Sequence, residues 1–291
     1  MQIKSLLAQP FANYLSSAIK KESKDAVTHQ EQIRTMLLQK AKHTYFGKQH
    51  KFANIESYTD FKQAIPIRDY EQCKPFIEKI KAGESDILWE GKPIYFAKTS
   101  GTTSGVKYIP ITKQSMPSHI LAARNALLCY IAETRNTSFV NGKMIFLSGS
   151  PELDNIHGIL SGRLSGIVNH HVPTYLTKNR LPSYETNCID DWETKLDAIV
   201  QETLRADMRL ISGIPPWVQM YFDRLNQRSG LPIGKLFPSF SLMVHGGVNF
   251  EPYKTKLFES VGHPIHTIET FPASEGFFAF QDSQSEGNKH G

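Results

Sequence analysis

The residues best equipped for chemistry form one run, Thr99-Ser100-Gly101-Thr102-Thr103-Ser104-Gly105-Val106-Lys107. Gly101 and Gly105 admit positive φ and let a ligand come close to the backbone. The five hydroxyls of the run and its successive backbone N–H groups make a concave donor set suited to phosphate oxygens. Lys107 adds a positive charge where the chain turns back. The run is not a Walker A loop, because it lacks the G-K-[ST] ending and leads into a strand-like segment instead of a helix. A plain surface hairpin uses the same residue types, so the run gains meaning only from its company.

Two further motifs supply that company. Ser274-Glu275 sits directly beyond a predicted strand, where α/β sheets gather ligands. A hydroxyl beside a carboxylate can bond a phosphate and ligate Mg²⁺, a metal that takes oxygen donors and bridges substrate phosphates. The same pair would also serve as a helix N-cap with an acid in the first turn. His245-Gly246-Gly247 is a turn of small residues after a strand, where a flat base can lie against the backbone or where the chain simply reverses. Asn249 is placed to cap the helix that follows, with Pro252 in its first turn.

Other candidates fare worse. His263 and His266 lack a carboxylate pattern around them, so they read as core or solvent histidines and not as metal ligands. His170-His171 would face opposite sides of a strand. Ser148-Gly149-Ser150 lacks the G-x-S-x-G elbow of a nucleophilic serine. Cys73, Cys129 and Cys188 are far apart and odd in number, which argues against a disulfide framework and for a reducing compartment.

The elements that must position these motifs follow from periodicity. Ile3, Leu6, Leu7, Phe11, Leu15 and Ile19 recur at helical spacing, for a helix packed on the domain or lying on a membrane surface. A second helix covers Gln30 to His43, with Ile33, Met36, Leu37 and Leu38 on one side. Tyr58 to Lys81 reads as short helices broken at Pro66 and Pro75. The texture changes at Ile94: Ile94–Ala97 and Tyr108–Ile111 form a hairpin with the polar run at its tip. A helix over 115–133, a buried strand over Lys143–Leu147, and a helix over 190–207 follow. Then come a strand from Leu210 into Pro215-Pro216, a helix over 217–226, a strand over Ser241–Val244, a helix from Glu251 and a strand over Ile265–Phe271. Helices carrying Trp192 and Trp217 read as core. Strands alternating with helices make this an α/β protein with mixed sheets. A helical segment covers about 1–90 and the α/β part about 91–282.

The chain has 291 residues, 40% hydrophobic and 21% charged, with a formal net charge of +5. These are values of an ordinary globular protein. No run of five like charges appears, so a nucleic-acid partner is not indicated. No apolar stretch reaches the ~20 residues of a spanning helix, nor does the N-terminus have a signal-peptide pattern, so a cytoplasmic protein is expected. Oligomeric state leaves no mark on the sequence.

Thr99–Lys107, His245-Gly246-Gly247 and Pro272-Ala273-Ser274-Glu275-Gly276, in this order, resemble the motifs of the adenylate-forming enzymes. Within that superfamily the chain is similar to the auxin-responsive promoter family of acyl-acid amido synthetases, in its bacterial branch, from about residue 40 to 282. Phe271 stands where that family more often has tyrosine. The resemblance implies the large N-terminal domain of the acyl-CoA synthetase-like fold, ATP and Mg²⁺ as cofactors, a small carboxylic acid as substrate and an amino acid or other amine as acceptor. An acyl-CoA ligase, or a non-catalytic fragment that binds a nucleotide or acyl group, are the rival readings. By this resemblance Ser100, Gly101, Thr102, Thr103, Ser104, Gly105 and Lys107 would hold the β- and γ-phosphates. His245, Gly246 and Gly247 would border the adenine, Ser274 would contact the α-phosphate and Glu275 would coordinate Mg²⁺. Lys107, Ser274 and Glu275 are the expected catalytic residues. The acyl pocket would draw on the helix over 115–128 and the stretch 160–172. The family's third motif, with an aspartate on the ribose, and its smaller C-terminal domain are not found before Gly291. The resemblance therefore implies an N-terminal portion of a longer chain that would not turn over alone.

Overall fold

The computed structural model describes residues 3–100 and 105–284. Among the described residues five α-helices precede the first strand: α1 (Ile3–Ser23), α2 (Ala26–Ala41), α3 (Tyr45–Gln49), α4 (Tyr58–Ala64) and α5 (Tyr70–Lys81). α4 and α5 both start with capping boxes, Ser57 with Asp60 and Asp69 with Gln72. Each box pairs two backbone donors that a helix start otherwise leaves orphaned. The chain breaks at Pro66 as expected, but Pro75 does not interrupt it and lies inside α5. The capping box at its start and the burial of Phe76, Ile77 and Ile80 outweigh one absent N–H bond.

The remaining elements alternate. In order they are β1 (Tyr95–Ser100), β2 (Val106–Ile111), α6 (Met116–Thr134), β3 (Lys143–Phe146), β4 (Asp154–Ile156), β5 (Ile159–Gly162) and α7 (Leu164–Asn169). Then follow α8 (Thr174–Thr177), β6 (Arg180–Leu181), α9 (Tyr184–Asn187), α10 (Trp192–Thr203), β7 (Met208–Ser212), α11 (Pro215–Ser229) and α12 (Ile233–Leu236). The chain ends with β8 (Leu242–Gly246), α13 (Glu251–Val261), β9 (His266–Ala273) and β10 (Gly276–Phe280). His170-His171 are not on a strand: His170 closes α7 and makes a contact of 2.7 Å to the Pro151 carbonyl, while His171 meets the Tyr95 hydroxyl at 3.0 Å. Each ring thus has its own structural partner.

The strands form two sheets. The larger runs β10-β9-β8-β7-β3-β6, parallel except for the antiparallel edge β10. α10, α11 and α13 cover one face, where Leu196, Ile199, Val218, Phe222, Leu257 and Val261 pack on Ile145, Ile211 and Met243. α6 and α1 cover the other, with Ala12, Ala126, Tyr130 and Ile131 over Met144, Leu210, Leu242 and Ile268. Strands buried on both faces explain the near-continuous apolar runs at Met144-Ile145 and Leu242-Met243-Val244. The smaller sheet, β2-β1-β5-β4, pairs β1 with β2 antiparallel and with β5 parallel. The hairpin expected around the polar run is therefore present, with Ser100 paired to Val106 at its last described rung.

Candidate active site

The two sheets meet around a cavity of about 690 Å³. Four carboxyl ends of parallel strands open into it: Leu147-Ser148 after β3, Gly213-Ile214 after β7, Gly246-Gly247 at β8 and Ser274-Glu275 after β9. Such strand ends are where open α/β sheets bind ligands, because each loop leaves with free backbone groups while the sheet behind stays rigid. From the smaller sheet come Lys98, Thr99 and Val106 at the root of the polar hairpin. The root of the first motif and the other two motifs, distant in sequence, thus line one space.

The His245 turn is built for close approach. A Cβ on Gly246 would stand 2.1 Å from the Thr270 carbonyl oxygen, so β8 and β9 can pair there only around glycine. Gly247 has φ of 82°, in the left-handed region that L side chains avoid. The Thr270 hydroxyl donates to the His245 carbonyl at 2.9 Å. The His245 ring, 3% exposed, stacks on Phe250 with centroids 4.1 Å apart, and neither ring nitrogen has a hydrogen-bond partner among the described residues. Burial pushes its pKa down to about 4, so the ring is neutral at ordinary pH. Asn249 is not the N-cap of the next helix, which is Phe250 with no side-chain cap bond; Asn249 sits one residue earlier, where its Oδ1 accepts from the Glu251 N–H at 3.1 Å.

Ser274-Glu275 is the two-residue tip of the β9–β10 hairpin, set by the Ala273–Gly276 pair, and no helix begins there. The helix-cap reading is therefore corrected, since β10 was not foreseen. The tip borders both the large cavity and a neighbouring one toward α2 and α6. Among the described residues no group of three or more His, Cys, Asp or Glu side chains is gathered to hold a metal ion. A lone carboxylate at the edge of a cavity suits Mg²⁺, which keeps several waters and takes the rest of its ligands from phosphates.

The cations divide unevenly. Lys98 is ion-paired with Asp154. Lys107 does not line the cavity; its ammonium stands 5.3 Å over the Tyr70 ring, whose hydroxyl accepts from the Tyr108 N–H. Arg163, which lines the cavity, has no hydrogen bond or ion pair from its guanidinium among the described residues. The reading of the sequence missed it. A signal was present in Gly162-Arg163-Leu164-Ser165-Gly166: a Cβ on Gly162 would meet Leu153 at 2.5 Å, and one on Gly166 would meet the Ser150 carbonyl at 2.2 Å. These glycines let the backbone on both sides of Arg163 pack closely against its neighbours. Ser100 ends β1, Gly105 precedes β2, and Gly101, Thr102, Thr103 and Ser104 lie outside the described residues.

A second, more apolar cavity of about 310 Å³ shares a wall with the first through Ser148, Leu164, Ser212 and Thr270. α6 contributes His119, Ala123 and Leu127, and the 160–172 stretch contributes Leu164, Ser165 and Val168. Both stretches expected to shape an acyl pocket line this one chamber. Lys195, 3% exposed, fixes the shared wall from behind: its ammonium donates to the Ser148 carbonyl at 3.1 Å and to the Asn187 carbonyl at 2.6 Å.

The fold is that of the adenylate-forming enzymes. It superposes on the solved GH3.15 acyl acid amido synthetase with a TM-score of 0.71 over 90% of this chain and 56% of that one, at 13% identity. A 2-hydroxyisobutyryl-CoA ligase in an open conformation gives 0.53 over 84% of this chain and 53% of that one, at 12% identity. Residues 15–193 match the GH3 family N-terminal domain, and the chain belongs to this family. A jasmonoyl–L-amino acid synthetase, JAR4 of Nicotiana attenuata, is 25% identical over 185 residues, which are 62% of this chain and 31% of that protein. An indole-3-acetic acid-amido synthetase, GH3.17 of Arabidopsis thaliana, is 31% identical over 99 residues, 32% of this chain and 16% of that protein. The chain thus spans under a third of these curated relatives and about half of the solved synthetase. Among the described residues no helix is long and apolar enough to cross a membrane.

Proposed function

We propose that this chain binds ATP in the larger cavity and activates a carboxylic acid held in the smaller one, and that the acyl group then passes to the amine of an amino acid. The observation that carries this is the convergence of the hairpin root, Gly246-Gly247 and Ser274-Glu275 on one space at the strand ends, with a chamber opening beside it. The acid's oxygen attacks the α-phosphorus, the bond to pyrophosphate breaks, and the acyl-adenylate remains. In the second step the amine nitrogen attacks the acyl carbon and AMP leaves.

The residues divide the labour by position. Gly246 and Gly247 give the adenine a flat backbone surface free of side chains. The hairpin that roots at Thr99 and Val106 would serve the β- and γ-phosphates, Ser274 the α-phosphate, and Arg163 the negative charge that builds as pyrophosphate departs. Glu275 would hold Mg²⁺, which supplies neutralisation of the phosphates. Amide formation is preferred over thioester formation because the family match is to amido synthetases and the structural likeness to them exceeds that to the CoA ligase.

Calorimetry with magnesium-ATP on this chain, and acid-dependent exchange of labelled pyrophosphate into ATP by the intact gene product, test the reading. Arg163→Ala and Glu275→Ala are expected to weaken nucleotide binding about tenfold or more, the worth of one charge-assisted contact. Normal binding and exchange in both variants would overturn these assignments. Product analysis with amino acids against coenzyme A decides the acceptor.

A further inference from the structure

The smaller cavity has one feature that an acyl chamber for a simple fatty or aromatic acid does not need. Its walls are mainly apolar, yet Arg180 lines it. Arg180 lies on β6, the edge strand of the larger sheet, in register with Met144 of β3, which lines the same chamber. Its guanidinium is half-buried, and burial pulls its pKa below the ordinary arginine value. One donor is used, Nη1 to the Asn169 carbonyl at 3.0 Å. A guanidinium has five N–H donors, so most of its fork remains for other partners. Among the described residues no aspartate or glutamate lines the chamber and Arg180 forms no ion pair.

A charge set against apolar walls without a counterion is costly, and a ligand that brings the counterion recovers that cost. The carboxylate to be activated cannot be that counterion, because it must reach the Ser274 side. Thr270 on β9 and Arg180 on β6 are four strands apart in the sheet, about 19 Å at the usual strand spacing. We infer that the acid taken by this chamber carries a second carboxylate at its far end, which Arg180 receives: the substrate class is a dicarboxylic acid. The inference rests on the reading of the smaller cavity as the acyl chamber.

The test is calorimetric titration of this chain, without nucleotide, with straight-chain dicarboxylic acids from succinate to sebacate and monocarboxylic acids of matched length from butyrate to decanoate. The best dicarboxylate is expected to bind about tenfold more tightly than its monocarboxylate counterpart. R180Q keeps an amide that can bond the Asn169 carbonyl and removes the charge, so it should abolish the preference; R180K should keep part of it. A role confined to fixing the end of α7 would change stability in R180Q but not the ratio of the two affinities. Equal or tighter binding of the monocarboxylate by the unaltered chain, a preference that survives R180Q, or binding of no acid overturns the inference. Should R180Q fail to fold, the unaltered chain's ratio still decides. Pyrophosphate exchange driven equally by both series removes the dicarboxylate preference and leaves acid activation intact, whereas exchange with no acid removes activation itself.

Discussion

Arg163 and Lys98 both face the larger cavity, but Asp154 neutralises only the lysine. The sequence drew attention to Lys107 because it closes a conspicuous motif, yet side-chain direction on a strand is settled by neighbours, and Tyr70 of α5 offers its ring there. His245 is a second case in which a residue's meaning depends on its surroundings. In the sequence it is one of three small-turn residues; in the fold it is a neutral imidazole stacked on Phe250. Its depressed pKa has a thermodynamic consequence. The unfolded chain takes up a proton near the ordinary value of 6.5 and the folded one only near 4. The contribution to stability is complete above 6.5 and is lost as pH falls toward 4, at up to about 1.4 kcal/mol per pH unit within that window. His245→Phe keeps the ring contact and cannot titrate. Urea unfolding of both proteins should show the unaltered chain losing stability relative to the variant between pH 6.5 and 4, and a constant difference would refute the assignment.

At the scale of elements, the alternation of strands and helices was legible because buried parallel strands need apolar runs and their crossover helices need an apolar stripe. The hairpin around the polar run and the helix starting at Glu251 were legible for the same local reasons. β4, β5, β6 and β10 were not. They are short, two to five residues; β5 and β6 pair with strands distant in sequence, Tyr95–Ala97 and Met144-Ile145, while β4 and β10 are short arms of tight local hairpins with β5 and β9. Pro75 misled because a local rule was overridden by the burial of the residues after it. Lys195 shows how an element can serve a site it does not touch. It projects from α10 to the carbonyls of Ser148 and Asn187 and so ties α10 to the loop after β3. Lys195→Met fills similar space but leaves both carbonyls without that donor, at a cost of about 1–3 kcal/mol. A thermal or urea melt should record that loss, together with weaker nucleotide binding because Ser148 lies on the wall shared by the two cavities. Unchanged stability would mean that water satisfies both carbonyls and that the ammonium is not the clasp.

For the whole molecule, the larger cavity lies between the sheets and not within either. The smaller sheet supplies the hairpin root, and the larger supplies the four strand ends. Each sheet has its own buried clusters: Phe96, Ile159, Ala97 and Ile111 for one, and the two faces built on Ile145, Ile211, Leu210 and Leu242 for the other. A nucleotide that touches both would therefore act as a bridge between separately packed bodies, and would bind the folded chain only when they are correctly set. Linkage then fixes the size of the effect: a ligand at a hundred times its dissociation constant adds about 2.7 kcal/mol to the folded state. For a chain of 291 residues that corresponds to a rise of about 4–5 °C in Tm. Melting of this chain in increasing magnesium-ATP should show a logarithmic rise in Tm, and Arg163→Ala should need a higher nucleotide concentration for the same shift. A Tm that ignores nucleotide over a thousandfold range, about 4 kcal/mol of expected linkage, would mean that no ligand spans the two sheets at this opening.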